Sequence, residues 1–216
     1  ASATPSNAAS GFKTTEKMKK LQFIIAGAAL LAASSCTTTP SETAALTSTD
    51  AAQAVIGNIM TRTSVRQYTD RQISDDTLET LLKAGMAAPT AVNKQPWAFV
   101  VTTGRDALDS LATLQPRLKT AAAAITVCGD MARAIEGEGR DFWVQDCSAA
   151  TENILLAAHA LGLGAVWTGV YPIAERVDDV SRALALPDSV VPMCIIAVGY
   201  PLADQEPKDK WDPSKV

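Results

Sequence analysis

The chain is poor in the side chains on which most metal-dependent and hydrolytic enzymes rely. It has one histidine, His159, and four cysteines without a C-x-x-C pair. A zinc site or a histidine-activated nucleophile needs several such groups, so neither is expected here. We expect His159, inside an apolar helical stretch, to be packed or at the rim of the core. The cysteines Cys128, Cys147 and Cys194 lie in apolar segments and are expected to be buried thiols.

Signatures of several other protein classes are also missing from the sequence. It contains no G-x-S-x-G, no P-loop and no G-x-G-x-x-G after a strand, which argues against a hydrolase, an NTPase or a Rossmann enzyme. Basic side chains number 19 and acidic ones 23, and without residues 1–35 the counts are 15 and 22. This acidic body would repel a polyanion overall, so nucleic acid is not an expected partner.

No apolar run is as long as the roughly 20 residues that a membrane-spanning helix needs. The run 21–33 follows Met18-Lys19-Lys20 and precedes Ser34-Ser35-Cys36, a pattern typical of an export signal. The small residues before Cys36 resemble a lipoprotein signal, which predicts an exported protein with a lipid anchor at Cys36 as its contact with the membrane. It would face the periplasm or the outside. Plain secretory cleavage or an inert apolar leader are the alternatives.

The chain is therefore expected to have two parts. Residues 1–50 would comprise an upstream extension (1–17), the signal peptide and a flexible tether, and residues 51–216 would form one folded domain. In that domain, apolar periodicity predicts helices at about 51–61, 74–87, 105–114, 141–161 and 174–185. Strands are predicted at about 97–102, 123–128, 165–170 and 190–199.

Two arginines and a serine share one short stretch, 62–66 (RTSVR). If the stretch begins or ends a helix, Arg62 and Arg66 lie on one face. The guanidinium fork matches a phosphate, and the hydroxyl of Ser64 adds a donor. The stretch thus predicts a site for an anionic, ring-bearing ligand. The alternative is a solvated helix end with its arginines in water.

The second informative stretch is 88–97 (APTAVNKQPW). Pro89 should end the preceding helix, and a turn from Thr90 to Gln95 should lead into a strand that begins at Trp97. The carboxamides of Asn93 and Gln95 can read donor and acceptor pairs such as the edge of a flavin pyrimidine ring. The alternative is that they satisfy the backbone of the turn.

These segments resemble the FMN-dependent nitroreductase superfamily, whose pattern is R-x-S-x-R followed by a helix that ends in A-P-S/T-x-x-N-x-Q-P-W. The resemblance continues through 146–158, 162–169 and 192–201 to the basic pair Lys208 and Lys210, so it covers roughly residues 52–210. Five segments in the right order are more specific than any one motif.

The resemblance implies an α+β fold with a mixed, mainly antiparallel central sheet flanked by helices. It also implies a homodimer with two FMN sites at its interface. The helix around 149–160 could be the dimer core, or an internal helix of one subunit.

The resemblance also implies roles for individual residues. The flavin phosphate and the polar edge of the ring would be held by Arg62, Ser64, Arg66, Lys208 and Lys210. The isoalloxazine would be lined from the partner subunit by Pro89, Thr90, Ala91, Asn93 and Gln95. A flavin-facing loop with a backbone N–H near N5 would comprise Val166, Trp167, Thr168 and Gly169. Many relatives have arginine where this chain has Lys210.

The function that the resemblance implies is an FMN-dependent NAD(P)H oxidoreductase of nitroreductase type, with NADH or NADPH as electron donor. It would reduce nitroaromatic, quinone or similar acceptors by ping-pong hydride transfer through flavin N5, with no catalytic side chain and no metal. Two alternatives stay open. One is an exported lipoprotein that binds flavin or another ligand without turnover, and the other is a specialised flavoenzyme of the same fold.

Overall fold

The computed structural model describes residues 48–216 and shows five helices joined to a four-stranded sheet in this region. The helices are α1 (Ser48–Thr61), α2 (Asp75–Met86), α3 (Arg105–Leu114), α4 (Phe142–Ala160) and α5 (Ala174–Ala183). The strands are β1 (Trp97–Thr102), β2 (Ala123–Asp130), β3 (Gly164–Gly169) and β4 (Val190–Gly199). Short 3₁₀ turns at Ala91–Asn93 and Pro116–Leu118 complete the parts that matter for the site. No helix in the described region is long and apolar enough to cross a membrane.

The sheet has the strand order β1-β2-β4-β3, and each neighbouring pair is antiparallel. One parallel bridge joins Ser64 to Ala165 at the outer edge of β3. The register shifts between Val127 and Cys128 where β2 pairs with β4, and Pro192 lies at this irregularity. Proline has no N–H to donate to the ladder, and it is tolerated there because the irregularity leaves a ladder position unpaired. The expected α+β fold, with a mainly antiparallel sheet between helices, is confirmed.

Alternating side chains of the central strands supply two cores, one on each face of the sheet. Cys194 and Ile196 point toward α2 and α4, whereas Ile195 and Ala197 point toward α3 and α5. Because β2 and β4 are covered on both faces, their sequences read as continuous apolar runs rather than as alternating ones. The result is a three-layer arrangement whose edges carry the candidate site residues.

All nine predicted helices and strands are present, with end points within three residues of those expected. Ser74 caps α2 by accepting a hydrogen bond from the Thr77 N–H at 3.3 Å, and Pro89 follows the end of the helix as predicted. The predicted extension, export signal, Cys36 and most of the tether lie outside the described residues.

Candidate functional site

The stretch 62–66 is extended rather than helical, because α1 ends at Thr61. The Val65 N–H donates to the Ala165 carbonyl at 3.0 Å, so the stretch runs beside β3. In an extended chain successive side chains alternate. Arg62, Ser64 and Arg66 therefore share one side while Val65 is buried. The expected common face is present, although extended backbone, and not a helix, produces it.

The stretch lies close against β3 because the facing residue is a glycine. A Cβ atom on Gly164 would come within 2.6 Å of the Val65 Cβ, well inside van der Waals contact. Gly162, by contrast, has φ +71° and follows the last turn of α4, where the Leu163 N–H donates to the Ala158 carbonyl at 2.8 Å. Gly162 thus ends the helix as expected. Gly164 is the first residue of β3.

The C-terminal segment returns alongside the same stretch. The Leu202 N–H donates to the Gln67 carbonyl at 3.0 Å, and Tyr68 bridges to Pro201. This pairing brings residues 205–210 beside 62–66. Lys208 and Lys210 lie in extended chain on either side of Asp209, whose carboxylate accepts from the Trp211 N–H at 2.9 Å.

The two segments enclose a cleft of about 240 Å³. Its lining comprises Arg62, Thr63, Ser64, Arg66, Gln205, Glu206, Lys208 and Lys210. Four cations therefore face one carboxylate, in a chain whose net charge is −4. Arginine forks, lysine ammonium groups and a hydroxyl are the donors that bind a phosphate. This cleft, the phosphate cleft, fits a phosphate monoester.

One of the cations is held in place by a neighbouring helix. The Nε of Arg62 lies 3.3 Å from Oε1 of Glu152 on α4, and the Arg62 side chain is 18% exposed. An ion pair through Nε leaves the two terminal nitrogens free to point into the cleft. Glu152 thus positions Arg62, although sequence reasoning did not find it. The signal in the sequence was a carboxylate next to the apolar run 154–158 of α4.

The turn before β1 has unusual backbone geometry. Val92, Asn93 and Gln95 have φ values of 45°, 56° and 49°, a region that non-glycine residues seldom occupy. Asp146, buried on α4, anchors the turn because its Oδ1 accepts a hydrogen bond from the Ala91 N–H at 2.8 Å. Positive φ values of this kind often mark functional sites.

The amides of the turn do not bind its backbone, which was the alternative to a ligand-reading role. Nε2 of Gln95 donates to Oδ1 of Asn93 at 3.1 Å, and both side chains are exposed. It is the hydroxyl of Thr90 that accepts from the Gln95 N–H, at 3.1 Å. The two carboxamides therefore pair with each other on the surface, where a ligand can reach them from outside.

Residues 166–169 are the second half of β3 rather than a loop. Val166 and Thr168 point inward, and the Thr168 hydroxyl donates to the Ile195 carbonyl. Trp167 and Gly169 point outward, and Trp167 is 36% exposed. A ligand on this edge would meet the indole of Trp167 and the main chain at Gly169.

The structure brings together one of the three predicted groups of site residues in a single cavity. Arg62, Ser64, Arg66, Lys208 and Lys210 line the phosphate cleft. The turn residues Pro89, Thr90, Ala91, Asn93 and Gln95 do not line it, and neither do Val166, Trp167, Thr168 and Gly169. The Ser64–Ala165 bridge nevertheless places the phosphate cleft directly beside β3. Besides Glu152, sequence reasoning missed Gln205, Glu206 and Asp146.

The histidine and the three cysteines of residues 48–216 make packing and hydrogen-bond contacts within the fold. Nε2 of His159 lies 2.9 Å from the Thr61 hydroxyl, so it links α4 to α1 at the rim, as expected. Cys128, Cys147 and Cys194 are buried thiols. Burial raises the pKa of Cys128 and Cys194 to about 12 and raises that of Cys147 as well. Among residues 48–216, no cluster of histidine, cysteine and acidic side chains could hold a metal ion.

The chain belongs to the nitroreductase family. The model of the Nitroreductase family matches residues 59–114 and 105–200, which includes both α2 and the whole sheet.

Individual relatives agree with this assignment. A protein of Methanothermobacter thermautotrophicus named "Putative NADH dehydrogenase/NAD(P)H nitroreductase" is 43% identical over 166 residues, which are 75% of this chain and 85% of that protein. The crystal structure of a protein of the same name from Bacteroides thetaiotaomicron has 42% identity and a TM-score of 0.71, covering 76% of this chain and 95% of that one. A putative nitroreductase from Desulfovibrio desulfuricans, in complex with FMN, has 34% identity and a TM-score of 0.64, covering 74% and 93%.

Proposed function

We propose that the protein is an FMN-dependent NAD(P)H oxidoreductase of nitroreductase type. The observation that carries this proposal is the cationic cleft between residues 62–66 and the returning tail, in a chain that belongs to the nitroreductase family. The FMN-bound relative and the relatives named NAD(P)H nitroreductase support the choice of cofactor and donor. FMN, when bound, supplies the redox chemistry, because it can accept a hydride from the nicotinamide and pass the electrons to the acceptor.

The residues of this chain would bind and orient the cofactor. Arg62, held by Glu152, and the two tail lysines would bind the phosphate, with Ser64 as a further donor. The outward edge of β3, at Trp167 and Gly169, would face the ring. Its main-chain N–H groups are fixed by the sheet, so they can stabilise an electron-rich ring without reorganisation.

The second half of the site would come from a second copy of the chain. Four apolar side chains of α1 are exposed in one subunit: Val55, Ile56, Ile59 and Met60. An apolar groove of about 340 Å³ runs between α1 and α4. A larger hollow, lined by both Met60 and Lys208, connects this apolar face to the phosphate cleft. A homodimer would cover the face and would bring the turn 89–95 of the partner subunit to the ring.

The acceptor would be a nitroaromatic, a quinone or a similar small molecule. Donor and acceptor would use the same position in turn, which predicts ping-pong kinetics. A role as a flavin-binding protein without turnover is the second candidate, and the export pattern before Cys36 favours it because nicotinamide nucleotides are scarce outside the cytoplasm. Export and lipidation at Cys36 are themselves proposals that rest on the sequence pattern alone.

A spectroscopic experiment distinguishes the two candidates. The purified protein is mixed with excess FMN, desalted, and then treated anaerobically with NADH or NADPH. We expect flavin absorbance that either nucleotide bleaches. A yellow protein that neither nucleotide reduces would support binding without turnover, and a colourless one would contradict both candidates.

Lipidation has a separate test. Mass spectrometry of the protein extracted from membranes should show an acylated N-terminal cysteine at position 36. An unmodified Cys36 that is still preceded by residues 21–35 would rule out the anchor.

A further inference from the structure

A second cleft continues from the phosphate cleft on the side away from α1. Its volume is about 280 Å³, and it shares Ser64, Arg66 and Gln205 with the first cleft. At its other end lies Arg117, which lies outside the motif segments that carry the family resemblance. This volume is several times the roughly 30 Å³ that a water molecule occupies in the liquid, so a small anionic group fits.

Arg117 is held there by a rigid turn. It occupies the 3₁₀ turn Pro116–Leu118, whose Leu118 side chain is fully buried. Nη2 of Arg105 donates to the Leu118 carbonyl, and its Nη1 donates to the Ala121 carbonyl at 3.1 Å. Thr120 joins this turn to the segment that carries Arg66, because its hydroxyl accepts a hydrogen bond from the Tyr68 N–H at 3.3 Å.

Both arginines of this cleft lie near the buried phenol of Tyr68. Its hydroxyl is within hydrogen-bonding distance of the Val65 carbonyl (2.6 Å) and the Ala197 carbonyl (3.0 Å). Burial raises the pKa of Tyr68, and the charges of Arg66 and Arg117 oppose that shift. Two guanidinium groups therefore converge on one surface hollow from different segments.

Neither guanidinium is neutralised within the described part of the chain. Arg66 donates to the Ser64 carbonyl at 3.0 Å, and no carboxylate of residues 48–216 forms an ion pair with Arg66 or Arg117. Five of the six ion pairs recorded in that region join residues three or four positions apart on other surfaces. Two unpaired arginines at a shared hollow favour a divalent anionic group.

We infer that Arg117 and Arg66 form a second anion subsite, which binds a phosphate group of the nicotinamide dinucleotide. This rests on the proposed function. FMN carries one phosphate, and besides Arg66 the first cleft already offers it Arg62, Lys208 and Lys210. The other ligand that the proposed reaction requires carries a diphosphate, and NADPH carries a 2′-phosphate in addition.

The test measures binding rather than turnover. The protein with added FMN is titrated by calorimetry with pyrophosphate, NAD⁺ and NADP⁺, both as wild type and as Arg117→Gln. Arg117 is exposed and has no recorded hydrogen bond, so the variant should fold normally. Lys119→Gln is the matched control, because it removes one positive charge two residues away and lines neither cleft.

We expect Arg117→Gln to weaken pyrophosphate binding about threefold to fivefold, the range of an exposed charge pair, and Lys119→Gln to leave it unchanged. Equal weakening for NAD⁺ and NADP⁺ assigns the subsite to the diphosphate, and weakening for NADP⁺ alone assigns it to the 2′-phosphate. Unchanged affinities for all three ligands overturn the inference. A protein that stays colourless with FMN contradicts the proposed function instead, while the pyrophosphate titration still reports on Arg117.

Discussion

Asp146 acts through a single recorded hydrogen bond, on the main chain of the turn that precedes β1. Its carboxylate is 5% exposed and accepts from the Ala91 N–H, so two elements distant in sequence are joined at a point where three residues have positive φ. The turn cannot satisfy this N–H by itself, since Ala91 is the first residue of the 3₁₀ turn and its N–H has no partner within that turn. Asp146 thus fixes the position from which the turn would reach a partner's ligand.

Replacing Asp146 should destabilise the fold. We expect Asp146→Ala to lower the free energy of unfolding by about 1–3 kcal/mol, because the Ala91 N–H would be left without its partner. Asp146→Asn keeps an acceptor oxygen and should lose less. Urea unfolding of the three proteins measures the difference, and equal stability of wild type and Asp146→Ala would show that the contact is unimportant.

The buried thiols give the protein a stability that depends on alkaline pH. The pKa of Cys128 and of Cys194 is about 12 in the folded protein, against 9.0 in water, because burial disfavours the thiolate. The folded state therefore keeps protons that the unfolded chain loses. This contribution to stability is complete below about pH 9 and is lost as the pH rises from about 9 to about 12.

We expect the free energy of unfolding to fall by roughly 1 kcal/mol per thiol between about pH 8 and pH 10. Urea titrations at the two pH values measure it. Cys128→Ala, which removes one of the groups, should show a smaller decline. The same decline in wild type and variant would mean that other groups cause it.

At the scale of elements, the contact between β3 and the stretch 62–66 decides where the phosphate cleft forms. Gly164 permits the contact, since any Cβ there would overlap the Val65 side chain. The neighbouring hydrogen bond from the Val65 N–H to the Ala165 carbonyl depends on the same close approach. A side chain at position 164 would push Arg62 and Ser64 away from the tail lysines.

Gly164→Ala should therefore lower both stability and FMN affinity. We expect a loss of about 1–3 kcal/mol in the free energy of unfolding, as for an overpacked core. FMN affinity should fall as well. Gly104→Ala is the control, because a Cβ there meets nothing within 4 Å and the change should cost less than about 1 kcal/mol. Unfolding and FMN titrations follow the two effects, and a Gly164→Ala protein identical to wild type would contradict this account of the cleft.

Local signals in the sequence were sufficient to predict the helices and strands of residues 48–216. Ser74, Pro89 and Gly162 end or cap helices through their own chemistry, so the elements could be placed without tertiary information. The extended state of residues 62–66 could not be predicted in this way. It depends on pairing with Ala165, about a hundred residues away, and on a glycine whose role is visible only when the two segments meet.

Some of the site residues could likewise be found from the sequence, and others only from the structure. Arg62, Ser64, Arg66, Lys208 and Lys210 could be found because they form recognisable patterns, and the structure brings them together. Glu152, Asp146 and Arg117 could not be assigned roles in this way, since each acts on a segment that is remote in sequence. Their roles come from burial and from distances between elements, which one sequence does not encode locally.

At the scale of the whole molecule, the predicted site residues of one chain lie in separate places. The phosphate cleft is lined neither by the turn 89–95 nor by residues 166–169 of β3. The exposed apolar side chains of α1 adjoin the hollow that contains Lys208. A second copy on this face would complete the site and remove the apolar surface from water.

A charge on this face should prevent assembly. We expect Met60→Glu to be monomeric and to bind FMN far more weakly than wild type, because half of the proposed site would be missing. Ile173→Glu, which changes an exposed apolar residue elsewhere, should remain dimeric. Light scattering after gel filtration measures the mass, and a dimeric Met60→Glu protein with normal FMN binding would place the interface elsewhere.

The central claim is that the cationic cleft binds the phosphate of FMN, and riboflavin tests it most directly because it lacks only that phosphate. Fluorescence titration of both flavins is compared for wild type, for Arg62→Gln combined with Lys208→Gln, and for Arg182→Gln as an exposed control on α5. We predict that wild type and control bind FMN at least about a hundredfold more tightly than riboflavin, because two charge-assisted hydrogen bonds contribute about 3 kcal/mol or more. The double variant should lose most of that preference while its riboflavin affinity stays the same. An undiminished preference for FMN in the double variant would contradict the account.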